Sequence, residues 1–247
     1  MLFDPFSQKA VKMRLAQQHD VMFFDLDGTL VETAPEIADA TNDALSQLGF
    51  PEVDQAQVDA WIGHGTRALL VKALARADGT SIEAVEQSAL LQEALPIFNS
   101  CYQNRCGTRS RLYPYVADVL ERLADSALRM VVLTNKESRY TDLILEHHRL
   151  TDYFDMVISG DTFPQKKPDP VGIQHCLSVW DFKPSRALFV GDSSVDAMTA
   201  RNAGISVWLL PYGYNMGHPV ESACPDRVIS DLRALLDTEV TAHSHSS

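Results

Sequence analysis

The stretch Val21-Met22-Phe23-Phe24-Asp25-Leu26-Asp27-Gly28-Thr29-Leu30-Val31 decides the fold. Four consecutive apolar residues, β-branched and aromatic ones among them, predict a short strand buried on both faces. The run stops abruptly at two carboxylates separated by one leucine. In open parallel sheets, ligands bind outside the carboxyl ends of the strands, so this strand end is where chemistry is to be sought.

Working outward, Ile37, Ala40, Ala44, Leu45 and Leu48 recur at helical spacing, with Pro35 suited to a first turn and Gly49 to a stop, predicting a helix over 35–48. Helical patterns follow over 65–78 and 81–105, the second expected to kink or split at Pro96. No strand is predicted between about 33 and 110. From Tyr113 the pattern alternates. Helices near 115–127, 138–150, 170–180 and 194–203 are interleaved with the strands Met130-Val131-Val132-Leu133, Met156-Val157-Ile158, Ala187-Leu188-Phe189-Val190 and Val207-Trp208-Leu209-Leu210. Such alternation means βαβ units around a parallel sheet. The expected fold class is α/β: a doubly wound parallel-sheet core with an inserted all-helical cap domain. The core is expected over 19–32 and 111–237, the cap over 33–110, and flexible tails over 1–18 and 238–247.

The chain has 247 residues, with 21 Lys plus Arg against 33 Asp plus Glu and a net charge of −12. That is the wrong sign for a protein whose affinity rests on neutralising nucleic-acid phosphates, and it disfavours anionic membrane surfaces. No run approaches the roughly 18 apolar residues of a spanning helix. The four cysteines, Cys101, Cys106, Cys176 and Cys224, show no CxxC spacing, which argues against a zinc or redox pair. The first twenty residues lack the apolar core of a secretory signal. A cytoplasmic monomer or homodimer, with neither nucleic acid nor membrane as partner, is expected.

The predicted strand ends share a theme. The first delivers Asp25 and Asp27, the second Thr134, Asn135 and Lys136, the segment after the third Lys166-Lys167-Pro168-Asp169-Pro170, and the fourth Gly191-Asp192-Ser193-Ser194-Val195-Asp196. Carboxylates this close repel unless a cation joins them, and an oxygen-only donor set favours Mg²⁺. A hydroxyl and a lysine beside that ion form a cradle for a phosphoryl group. Chemistry then assigns roles. Asp25, on the strand end, is the candidate nucleophile. Asp27, past the turn, is the candidate acid–base that protonates the leaving oxygen and later activates water. Thr134, with Asn135 beside it, would bind the phosphoryl group, Lys167 would neutralise charge on it, and Asp192 would complete the metal site. Asp196 is placed to orient a metal-bound water or Lys167.

Taken in order, these four motifs with a helical insertion after the first resemble the haloacid dehalogenase superfamily, over about residues 20–237. The resemblance implies a nucleophilic Asp25, an acid–base Asp27, Mg²⁺ held by Asp25 and Asp192 with the main-chain carbonyl of Asp27, and a helical cap. Within the superfamily the chain is most similar to the bacterial phosphoglycolate phosphatases. The supporting residues are the run into Ala34-Pro35, the cap loop Ile62-Gly63-His64-Gly65, the strand end Leu133-Thr134-Asn135-Lys136 and Tyr212-Gly213-Tyr214-Asn215. This implies a small phosphate ester, 2-phosphoglycolate, as substrate, with Gly63, His64 and Gly65 closing over it. His64 stands where that group leads one to expect Asn. A phosphatase or phosphomutase acting on another small sugar phosphate is the alternative. A phospho-accepting signalling module fits less well, because it has no use for Asp27 or for an enclosing insertion.

Overall fold

The computed structural model describes residues 18–236. The tails expected over 1–18 and 238–247 lie, apart from Gln18, outside the described residues. The predicted first strand is β1 (Val21–Phe24). A two-residue β2 (Val31–Glu32) follows the Asp25–Asp27 turn and pairs antiparallel with β3 (Arg111–Leu112). The remaining strands are β4 (Arg129–Leu133), β5 (Met156–Ile158), β6 (Ala187–Gly191), β7 (Ser206–Leu209) and β8 (Arg227–Val228). They join β1 in a parallel six-stranded sheet of order β5-β4-β1-β6-β7-β8. The order reverses at β1: the chain goes to one side for β4 and β5 and to the other for β6 to β8. This switch point puts Asp25 and Asp27 between the ends of β4 and β6, where a doubly wound sheet leaves its crevice.

The period-two rule of a strand explains why β1 reads as uniformly apolar. Met22 and Phe24 face one layer, packing with α6 (Val116–Ala124) and α7 (Ser138–His147) through Leu120, Leu123 and Ile144. Val21 and Phe23 face the other, against α8 (Val171–Trp180) and α9 (Ser194–Ala203) through Ile173, Cys176, Ala197 and Ala200. All four β1 side chains are fully buried, each stabilising by about 2 kcal/mol.

Between β2 and β3, the described elements are all helical: α1 (Ala34–Gln47), α2 (Gln55–Asp59), α3 (Thr66–Asp78), α4 (Ile82–Glu86) and α5 (Ala89–Arg105). Their apolar faces gather around Ala40, Leu45, Leu70, Leu74 and Phe98 in a cluster of their own. The break expected at Pro96 falls instead at Gln87–Ser88, where the Ser88 hydroxyl accepts from Leu91 N at 3.3 Å and starts a new helix. Pro96 is carried inside α5, because burial of Leu91, Ala94, Phe98 and Tyr102 holds the turns on either side of it. The pattern missed α2, β8 and the β2–β3 ribbon, which are too short to show a period.

Candidate active site

Asp25 is placed by β1, whose ladder continues one residue further as Asp25 N donates to Val190 O at 3.0 Å. Both partners of its carboxylate lie on Oδ1: Leu26 N donates to it at 2.7 Å and Lys167 Nζ stands 2.9 Å away. Oδ2 has no hydrogen-bond partner among the described residues. One oxygen is thus fixed and the other is presented, as a carboxylate nucleophile requires.

The chain then turns through Gly28 at φ 87, a left-handed conformation that favours glycine, and a Cβ there would overlap Asp192 Oδ2 and the Tyr214 ring. This tight turn brings Asp27 back beside Asp25. The Asp27 carboxylate also has both its partners on Oδ1, where Thr33 Oγ1 donates at 2.6 Å and Lys136 Nζ lies 3.0 Å away.

From β6, Asp192 accepts from Thr29 Oγ1 on Oδ1 at 2.7 Å and from Tyr214 N on Oδ2 at 2.6 Å. Asp196, in the first turn of α9, takes Lys167 Nζ on Oδ1 at 2.7 Å, and on Oδ2 the Ser193 hydroxyl and the amides of Asp192 and Ser193. Asp25, Asp192 and Asp196 can each bring a carboxylate oxygen to within 4.8 Å of the others, all three buried. Burial pushes the Asp25 carboxyl up to about 7, opposed by Lys167 and reinforced by Asp196 and Asp27. Burial, with the Asp196 and Asp25 charges, also drives Asp192 well above the ordinary carboxylate range. Anions held together at such a cost fit a cation between them, and the donors are all oxygen. This buried cluster can therefore hold a metal ion. Both oxygens of Asp196 are engaged, one by Lys167 and the other by the β6–α9 turn. The Asp27 carboxylate is tethered to Thr33 and Lys136 through Oδ1, which leaves Oδ2 open.

Lys167 and Lys166, adjacent in sequence, part company. Lys167 is 5% exposed and, although burial works against its charge, Asp196 and Asp25 raise its pKa above the usual lysine value. Lys166 is exposed and donates to the main-chain carbonyl of His64 at 2.6 Å. Thr134 is buried at the end of β4, its hydroxyl oxygen accepting from Lys136 N at 3.2 Å so that its own proton remains available.

Above these residues lies a cavity of about 30 Å³, lined by Asp25, Asp27, Thr134, Asn135 and Lys136 below and by Ile37, Ile62, Gly63, Gly65, Thr66 and Leu69 above. Three contacts hold the upper wall down. Asn135 Nδ2 donates to Gly63 O at 2.9 Å, Lys166 Nζ reaches His64 O, and Thr66 Oγ1 donates to Glu137 Oε1 at 2.6 Å. Gly63 and Gly65 are among the residues that line the cavity. His64 is not among the lining residues. Its half-buried imidazole is lowered in pKa by burial and by Lys72 and Lys166.

The chain matches the sequence model of haloacid dehalogenase-like hydrolases over residues 22–210. It belongs to that family. Among its relatives, the phosphoglycolate phosphatase of Vibrio vulnificus strain YJ016 is 36% identical over 221 residues, covering 90% of this chain and 96% of that protein. The phosphoglycolate phosphatase of Pseudomonas putida KT2440 is 38% identical over 216 residues, 87% of this chain and 78% of the other. The crystal structure of a predicted phosphoglycolate phosphatase from Haemophilus somnus 129PT superposes with a TM-score of 0.81 at 31% identity, covering 89% of this chain and 97% of that one. No helix among the described residues is long and apolar enough to cross a membrane.

The motifs leave without a role the tethers Thr29, Thr33 and Tyr214, and also Lys136 and Tyr102. Lys136 was visible as the third residue of the β4 end, and a lysine directly following a buried strand end is itself a signal. Tyr102 of α5, whose hydroxyl meets Lys136 Nζ, gave none, because only folding brings it there.

Proposed function

We propose that this hydrolase is a Mg²⁺-dependent phosphatase that converts 2-phosphoglycolate to glycolate and phosphate through an aspartyl-phosphate on Asp25. The observation that carries the reading is the pairing of Asp25 and Asp27, each tethered on Oδ1 and open on Oδ2. Support for the substrate comes from the relatives named phosphoglycolate phosphatase at 36–38% identity.

Asp25 Oδ2 attacks phosphorus as the ester P–O bond breaks. The released electron pair goes to the glycolate oxygen, which takes a proton from Asp27 Oδ2. Asp27, now ionised, removes a proton from the water that cleaves the aspartyl-phosphate, returning Asp25 free and Asp27 protonated. The Thr134 hydroxyl donates to a phosphoryl oxygen, and Lys167 holds Asp25 in line while offsetting charge beside it. Asp25, Asp192 and the Asp27 carbonyl would hold Mg²⁺, which supplies the positive charge that lets an anionic nucleophile approach a phosphate dianion.

In this reading residues 33–110 are a cap on a core formed by 19–32 and 111–237, joined through the β2–β3 ribbon. The 62–69 segment roofs the reacting carboxylates and is tied to the core by Asn135 and Glu137, so in this reading the cap lifts to admit substrate and closes to exclude water during transfer. A roof this close to the nucleophile also favours small esters. The test is phosphate release from a panel of small phosphate esters with Mg²⁺. The highest kcat/KM is expected for 2-phosphoglycolate. A higher value for a sugar phosphate, or conversion of one into an isomer without phosphate release, would overturn the substrate assignment.

A further inference from the structure

Lys136 is one of the cavity-lining residues and carries a charge that the mechanism above does not use. Its side chain is 2% exposed, and its ammonium lies between Asp27 Oδ1, 3.0 Å away, and the hydroxyl of Tyr102, with the Tyr102 ring centroid 4.8 Å off. Tyr102 is itself fully buried, its ring 4.5 Å from that of Tyr140 on α7. Burial alone would drive the charge off a lysine, and a buried ammonium is tolerated only where partners compensate it.

The placement of those partners has a chemical consequence. Lys136 Nζ and Thr33 Oγ1 converge on the same oxygen of Asp27, so the carboxyl group cannot rotate without breaking two hydrogen-bonded contacts, one of them charged. Oδ2 is then the oxygen directed to the reacting atoms. Tyr102 in turn fixes the ammonium, so the orientation of Asp27 depends on α5 being seated against the core. We infer that Lys136 is a positioning residue for the acid–base Asp27, holding Oδ1 so that Oδ2 carries the proton delivered to the leaving oxygen. The inference rests on the phosphatase reading and on the acid–base role of Asp27, and it adds a residue that acts through another.

A positioning role predicts a loss that depends on the leaving group. Glycolate leaves as an alkoxide and needs the proton, whereas acetate leaves acetyl phosphate, a mixed anhydride of similar size, as a stable anion. For both substrates kcat/KM reports the step up to the aspartyl-phosphate. Asp27→Asn provides the reference. Lys136→Met should reduce kcat/KM for 2-phosphoglycolate by about 100-fold, the lower end of what general acid catalysis supplies, and for acetyl phosphate by less than about 5-fold. An equal fall for both substrates, as direct phosphoryl binding or a distorted metal site would give, or no fall at all, would overturn the inference. If Asp27→Asn itself shows no preference between the two, the acid–base reading fails instead, and if 2-phosphoglycolate is not turned over, any alkyl phosphate that is hydrolysed takes its place. Should Lys136→Met not fold, Tyr102→Phe decides. It removes one hydroxyl from the same ammonium and should show the same selectivity at about 3- to 10-fold, the net worth of one ordinary hydrogen bond. A Tyr102→Phe protein with equal or unchanged rates on both substrates would count against the inference.

Discussion

The side-chain amide of Asn135 donates to the main-chain carbonyl of Gly63 at 2.9 Å, joining positions 72 residues apart. The same nitrogen donates to Lys167 O at 3.0 Å. One amide group therefore ties the end of β4 both to the loop over the cavity and to the segment that carries the lysine beside Asp25.

Asn135→Ala removes both bonds. At about 1 kcal/mol net for each, kcat/KM should fall roughly 10- to 30-fold, and amide hydrogen exchange over 62–66 should quicken because the loop opens more often. Unaltered exchange in that loop would show that Asn135 does not hold it.

Asp25→Asn should abolish phosphate release while the protein stays folded. Stability has a direction here. With its pKa raised to about 7, the folded Asp25 binds a proton that the unfolded chain has already lost between about pH 4 and 7. Stability therefore falls as the pH rises through that window. A neutral Asn escapes that loss, so the metal-free variant at pH 8 should melt no lower than the unsubstituted protein. Thermal unfolding followed by circular dichroism checks this, and a clear drop in Tm would contradict it.

The same protons compete with a cation. If Asp25 and Asp192 hold Mg²⁺ as proposed, both must ionise to bind it, so saturating Mg²⁺ should raise the Tm more at pH 8 than at pH 5.5, and EDTA should remove both the increment and the activity. Calorimetric titration in buffers of differing ionisation enthalpy should register proton release on binding below pH 7. A pH-independent increment would place the ion elsewhere.

Lys167 lies between Asp25 and Asp196 with its side chain 2% exposed. Lys167→Met strands two buried carboxylates and should lower the unfolding free energy by about 3 kcal/mol, as breaking a buried ion pair does. Adding Asp196→Asn should restore part of that. Urea unfolding at constant m-value measures both, and additive losses in the double variant would show that the two groups do not interact.

Much of this protein was legible in one dimension. The apolar run at β1, the alternation after Tyr113 and the acidic, threonine and lysine residues that end the strands determined an α/β sheet and the side of it on which to look. A strand buried on both faces leaves a continuous apolar run and a helix with one apolar stripe leaves a 3.6-residue period, and the order of residues shows both. The pairing of Lys167 with Asp196 was one of two partnerships the motifs allowed, because the segment after β5 and the first turn of α9 both lie at the same edge of the sheet. Tertiary structure alone decided the rest. Pro96 sits inside a helix because burial outweighs its local preference. His64, placed in the loop by sequence, is not part of the cavity wall, whereas Gly63 and Gly65 are. Lys136 gained its partner Tyr102 from a helix 34 positions away, and which oxygen of Asp27 is tethered depends on where those two side chains meet. Periodicity reports which face of an element is buried; contacts between elements distant in sequence leave no period, and they set the orientation of the reacting atoms.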